Sequence, residues 1–110
     1  MKTNELTGAA LDWAVAKCEG WLETRSCYVF NHQVWDATIP GEDSILYSPS
    51  TNWSQGGPII EREGMGVFKL GYVRGWASGF QSGPTPLIAA MRCHVASKLG
   101  DEVEIPEELK

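Results

Sequence analysis

The first twenty residues place the strongest constraint on the fold. Between Thr7 and Cys18, the residues Leu11, Ala14, Val15 and Cys18 recur at the spacing of one helix face. A second apolar stripe, Leu6, Ala9, Ala10, Trp13 and Ala16, falls on the other side, because at about 100° per residue Trp13 sits roughly 200° from Leu11. A helix that is apolar nearly all round must be sandwiched inside a domain or must turn one side toward a pocket, a partner or a second copy. Thr7 reads as its N-cap and Gly20 as its stop. Asp12 interrupts the apolar surface, and two readings stand for it: a solvent-facing helix residue, or a hydrogen-bond acceptor in a pocket or interface.

The rest of a 110-residue chain has to supply the cover. With 43% hydrophobic and 21% charged residues it can build one core, and a single domain spanning 1–110 is expected, its last few residues flexible. A second helix is predicted at the far end, where Thr85 is a cap, Pro86 opens the first turn, and Ile88, Met91, Val95 and Leu99 form the stripe. Lys98 falls in its last turn and Gly100 just beyond. The middle has strand character at Cys27–Phe30, Val34–Ile39, Ile45–Tyr47, Val67–Leu70 and Tyr72–Trp76, with a turn over Pro40–Asp43. Ser48–Gly57 has no period and reads as a loop, Pro58–Glu63 as one short helix ended by Gly64, and Gly75–Gly83 as a connection. Val103–Pro106 reads as an extended tail. The expected fold class is α+β: a small, mainly antiparallel sheet packed against the N-terminal and C-terminal helices, with one short helix after a polar loop.

Charge and composition narrow the function classes. Fourteen acidic against nine basic residues give a net charge of -5, which offers no footprint for a phosphate backbone, so no nucleic-acid partner is expected. The acidic residues Asp101, Glu102, Glu104, Glu107 and Glu108 read as a solvated end. Cys18, Cys27 and Cys93 are odd in number and fit buried thiols in a reducing cytoplasm. Met1–Glu5 carries no apolar signal core, and no apolar run reaches the ~18 residues of a membrane span, so no membrane partner is expected. Catalytic motifs are sparse. Cys93 and His94 are sequence neighbours that diverge by about 100° on a helix and cannot form a dyad. No zinc-ligand spacing and no nucleotide-binding glycine motif occurs. No catalytic residue, metal or cofactor is assigned.

Five tryptophans, at 13, 21, 35, 53 and 76, stand out in so short a chain. The segment from Tyr47 to Gly57 is the most informative around them. It gathers hydroxyls (Tyr47, Ser48, Ser50, Thr51), amides (Asn52, Gln55), backbone donors (Gly56, Gly57) and the ring of Trp53 just before a helix start. Those are the parts of a small-ligand site, in which backbone N–H groups meet an anion and an indole stacks on a ring. The same residues also suit a rigid loop whose side chains cap its own backbone and whose tryptophan plugs the core. Asp12 and Trp13 join the candidate site, and Arg62, Arg74 and Arg92 are candidate anion contacts. Trp21, Trp35 and Trp76 read as core or strand residues.

Three blocks, Leu6 to Gly20, Tyr47 to Glu61 and Gly83 to Asp101, resemble the NinX-type small proteins of lambdoid and related bacteriophages. The resemblance covers roughly half of the chain, includes Trp13 and Trp53, and leaves Trp21 to Leu46 and Met65 to Gln81 unmatched. It implies a phage-encoded accessory protein made in the cytoplasm of the infected bacterium, and it supplies no activity or catalytic residues. With the absence of catalytic motifs, the leading expectation is a non-enzymatic protein that binds a small nucleotide-like ligand and thereby interferes with host signalling or defence. The alternative is a protein-binding modulator of a host or phage protein, with Trp13 or Trp53 as its hot spot. A homo-oligomer through the first helix is compatible with either.

Overall fold

A computed structural model describes residues 1–38, 43–70, 75–79 and 81–110. Its first helix, α1, runs Gly8–Cys18 and buries Ala10, Leu11, Asp12, Ala14, Val15 and Ala16, so the all-round apolar pattern does produce a sandwiched helix. Thr7 stands at the N-cap position without a capping bond from its side chain. Gly20, with φ +77°, turns the chain away. Antiparallel strands follow: β1 (Cys27–Phe30), β2 (Gln33–Asp36) and β3 (Ile45–Leu46). Asn31 and His32, both at positive φ, form the two-residue turn that matches the twist of the β1–β2 pair. The predicted strand to Ile39 stops at Asp36, and the predicted turn lies largely outside the described residues.

The second helix, α2, differs most from expectation. It begins at Trp53, five residues before Pro58, and runs to Glu63. The physical cause is Asn52, whose Oδ1 accepts the Ser54 amide at 2.9 Å and caps the first turn. Proline is tolerated inside α2 because its missing N–H and its ring fall on an exposed side. The predicted loop therefore ends at Asn52, and the predicted short helix is the second half of α2. Gly64, at φ +64°, closes it in the left-handed conformation that glycine adopts without strain. Replacing Asn52 with alanine should cost about 1 kcal/mol, read as a lower thermal midpoint, since a cap of this kind satisfies one orphan donor.

Strands β4 (Phe68–Lys69), β5 (Trp76–Ser78) and β6 (Gln81–Gly83) form a second antiparallel sheet. The fold is thus α+β as expected, but with two three-stranded sheets instead of one, and the predicted glycine-rich connection contains β5 and β6. The predicted strand from Tyr72 lies outside the described residues except for its end, where β5 starts. The reason for two sheets is the last helix, α3 (Pro86–Leu99). It buries Leu87, Ile88, Ala89, Ala90, Met91, Arg92, His94 and Val95, more than one stripe, and so needs cover on more than one side. α1 covers part of it, and β5 and β6 cover another part. Gly83 lies within 2.9 Å, measured from an ideal Cβ, of the Ala89 amide, which leaves no room there for a side chain. Thr85 Oγ1 accepts the Ile88 amide at 3.1 Å, as its position predicts.

The buried cluster joins Leu6, Leu11 and Val15 to Cys27 and Val34 from the first sheet, to Tyr47 just after it, and to Met91, Val95, Val103 and Ile105. Each fully buried large side chain contributes roughly 1.5–3 kcal/mol. The tail returns along the body: the Met1 ammonium donates to Val103 O, Thr3 Oγ1 donates to Gly100 O, and Leu109 is buried. The five acidic residues of the tail are all exposed.

Candidate functional site

The segment singled out in the sequence is tightly self-bonded. Gln55 Oε1 accepts the Ser48 amide, Gln55 Nε2 donates to Leu46 O at 2.9 Å, and Asn52 caps α2. The Thr51 and Asn52 amides donate to Ser48 O. Asp12 lies beneath them, buried, with Oδ1 accepting the Ser50 amide at 2.9 Å. It faces inward rather than toward solvent. Burial pushes its pKa up to about 6, partly offset by the hydrogen bonding from Ser50. Trp13, the next residue of α1, is half-buried with Lys17 Nζ 5.4 Å from its ring centroid.

The remaining residues divide between two concavities. Tyr47 and Gln55 line a crevice of about 270 Å³ together with Glu19, Trp21, Asp36, Ser54, Pro58, Ile59 and Arg62. Ser50, Thr51 and Trp53 line a smaller cavity of about 180 Å³ with Thr85, Pro86 and Leu87. Trp13 lines neither. Gly56 is buried between α2 and the start of α3, and Gly57 is half-buried beside the Trp53 ring. Of the candidate arginines, Arg62 stands at the crevice. Arg92 is consumed internally, its Nε donating to Leu6 O and its Nη1 to Ser82 O, and Arg74 lies outside the described residues.

The crevice has an aromatic wall and a charged rim. The rings of Trp21 and Tyr47 meet at 5.3 Å with a 50° tilt. Burial and the neighbouring carboxylates push the Tyr47 hydroxyl well above its usual range, so it remains a proton donor. Arg62 Nη2 lies 2.9 and 3.0 Å from the two oxygens of Glu19. That pair nearly cancels, and Asp36 leaves the rim acceptor-rich. Trp21 reads from the sequence as a core residue, and Glu19 follows a helix with nothing to mark it. The only available signal is that Glu19, Gly20 and Trp21 sit where a buried helix must end.

Behind Glu19 lies His94, its side chain 1% exposed in the middle of α3. Nε2 is 3.7 Å from Glu19 Oε2 and Nδ1 is 3.8 Å from Glu63 Oε1, beyond hydrogen-bond reach. Among the described residues neither nitrogen has a partner. A neutral imidazole offers one N–H and one lone pair, so it can satisfy only one of two carboxylates. Burial pushes its pKa below the usual value against the pull of Glu19 and Glu63, and the ring is neutral at neutral pH. Burial also raises the Cys18 thiol to about 11 and the Cys27 thiol to about 12, so neither is a thiolate nucleophile. No group of three metal-ligating side chains comes together among the described residues.

Fold and site together define a small α+β domain with ligand-sized concavities. The family model described as Bacteriophage P22, NinX matches residues 2–98, and the chain belongs to that family of phage accessory proteins. No curated protein matches it. Among the described residues no helix is long and apolar enough to cross a membrane.

Proposed function

We propose that this protein binds a small nucleotide-like ligand without chemically altering it, holding the base of that ligand in the Trp21–Tyr47 crevice. By withdrawing such a molecule it counters host defence signalling in the cytoplasm of the infected cell. One observation carries the reading: two aromatic side chains wall a crevice whose rim carries the Glu19–Arg62 ion pair and the carboxylate of Asp36. Aromatic faces suit a planar ring. Carboxylate acceptors suit the amino and imino donors of a base, and they disfavour a phosphate at the same spot. The volume lies near the lower end of small-molecule sites, which fits one ring system better than a whole dinucleotide.

A panel of nucleosides, nucleotides, cyclic nucleotides and ADP-ribose derivatives should contain a member that raises the thermal midpoint. At one hundred times its dissociation constant it adds about 2.7 kcal/mol of stability. Trp21→Leu should abolish that shift and Trp53→Ala should leave it intact. A panel without any shift overturns the reading, and consumption of the ligand would show an enzyme instead.

A second reading, protein binding, rests on a different surface. Tyr28, Phe30 and Leu46 are 42%, 66% and 39% exposed. The pairing of Tyr28 with Trp35, and of Trp35 with Leu46, puts them on the outward face of the first sheet. Aromatic side chains gathered on one face are the composition of an interface core. Under this reading the panel gives no shift, and a host or phage protein captured by the parent chain is lost on Phe30→Ser.

A further inference from the structure

The crevice holds more polar capacity than the fold spends. Gln55 is used at both ends of its amide, Oε1 taking the Ser48 N–H and Nε2 giving to Leu46 O. Both oxygens of Glu19 face Arg62 Nη2, and Arg62 Nε donates to Glu63. Asp36 is less committed. Its Oδ1 accepts the Thr38 amide at 2.8 Å, and its Oδ2 has no partner among the described residues. Arg62 Nη1 has none there either.

A buried hydroxyl is the second open group. Tyr47 is 3% exposed, yet its hydroxyl makes no hydrogen bond among the described residues, and it is not sealed away from the crevice that the side chain lines. Buried polar groups are normally satisfied from within, so this one points to a partner that enters the crevice. Having kept its proton, the hydroxyl meets that partner as a donor. Trp21, the more exposed of the two aromatic walls, supplies the flat face. The unspent set is therefore one carboxylate that accepts, beside a phenol and a guanidinium edge that donate.

We propose that the base held in this crevice is guanine, with Asp36 taking its N1–H and 2-amino group and with Tyr47 Oη and Arg62 Nη1 donating to its ring acceptors. This rests on the reading of the crevice as a base-binding site. Among the common nucleosides, guanine alone carries two adjacent donors on one edge, and a carboxylate accepts two parallel N–H groups. Adenine and cytosine offer one amino group beside a ring-nitrogen lone pair, which would face the second carboxylate oxygen. Uracil flanks its single N–H with two carbonyls. The O6 and N7 acceptors of guanine suit an arginine or a hydroxyl, so both kinds of open group find partners on one ring system.

The test is isothermal titration calorimetry of the full chain with guanosine, inosine, adenosine and xanthosine. Guanosine should bind tightest. Inosine lacks only the 2-amino group and should bind about tenfold more weakly or worse, the worth of one hydrogen bond to a charged group. Asp36→Asn keeps an oxygen for the Thr38 amide and turns its other end into a donor. It should lose guanosine affinity by tenfold or more and gain affinity for xanthosine, which carries a carbonyl where guanosine has the amino group. Tyr47→Phe should weaken guanosine roughly fivefold, one neutral hydrogen bond. Equal affinities for guanosine and inosine, or an Asp36→Asn chain that binds guanosine as the parent does, overturn the proposal. If Asp36→Asn does not fold, the guanosine and inosine comparison on the parent chain decides alone. Tightest binding of adenosine overturns guanine and leaves a base-binding crevice standing, whereas heat from none of the four nucleosides removes both.

Discussion

Two adjacent glycines of α2 should respond to alanine with opposite signs. Gly57→Ala is expected to stabilise the protein by up to about 1 kcal/mol, and Gly56→Ala to destabilise it by about 2 kcal/mol. Both lie inside a helix, where alanine is favoured over glycine by close to 1 kcal/mol. Their surroundings differ. A Cβ at Gly57 meets only Trp53 Cε3 at 3.8 Å, an ordinary contact. A Cβ at Gly56 falls against Pro49 O and Leu87 Cδ2, and the first of these is backbone that cannot rotate away. Inserting one methyl group into such packing costs roughly 1–3 kcal/mol or more, enough to reverse the propensity gain. The helix would have to back away from the Pro49 carbonyl and from α3, opening the seam beside the smaller cavity. For a domain of this size 1 kcal/mol is worth about 4 °C, so the two midpoints should differ by roughly 12 °C. Thermal unfolding followed by circular dichroism gives the answer. Midpoints within a degree or two of each other would show that α2 does not pack on α3 as described.

That close approach also explains why α2 was partly hidden in the sequence. Two glycines and a proline within six residues are the marks of a loop, and local propensity argues for nothing else. What makes the helix is the cap at Asn52 together with neighbours that leave no room for a side chain at Gly56. The cap was legible once Asn52 was read as a helix start, but of the two neighbours Pro49 lies in an irregular loop and Leu87 is thirty-one positions along the chain. α1 and α3 were legible because their apolar spacing and their flanking residues, Gly20, Thr85, Pro86 and Gly100, agree with each other. The second sheet was legible only in part: β4 lies within the strand read at Val67–Leu70, whereas β6 and most of β5 fall in a glycine-rich stretch that reads as a connection, because three residues among glycines are too few to show a period.

The candidate site was legible to a similar degree and for the same reason. Hydroxyls, amides and an indole close in sequence do come together, yet α2 divides them: Tyr47 and Gln55 line one concavity, and Ser50, Thr51 and Trp53 line the other. The crevice draws on Glu19 after α1, Asp36 on β2 and Arg62 near the end of α2, a convergence that only the tertiary fold creates. Asp12 carried two readings, solvent-facing or an acceptor in a pocket or interface; it is buried, accepts from the backbone of the loop, and lines none of the described cavities.

Asp12 and His94 should give the stability of this protein two opposing dependences on pH. The folded chain holds Asp12 at about 6, above the 3.8 of an ordinary aspartate, because the buried carboxylate loses its water. Between those values the folded state binds the proton and the unfolded state does not, so this group's stabilisation is complete below pH 4 and is lost as pH rises through 6. His94 acts in the other direction. Its folded pKa is depressed, so protonating it costs more in the folded chain, and its contribution grows as pH rises toward 6.5. The parent curve near pH 4–6.5 is therefore flatter than either contribution alone. Asp12→Asn should remove the falling component, so the stability gap between variant and parent should move in the variant's favour by about 3 kcal/mol from pH 4 to pH 7, the worth of about two pH units. His94→Gln should remove the rising component, and its curve should fall below the parent's as pH climbs from 5 to 6.5. Comparing each variant with the parent cancels the titration of the exposed carboxylates. A gap that stays constant with pH for Asp12→Asn would mean that its carboxyl is not buried as described. A constant gap for His94→Gln would mean that the imidazole keeps an ordinary affinity for its proton, the pull of Glu19 and Glu63 offsetting its burial.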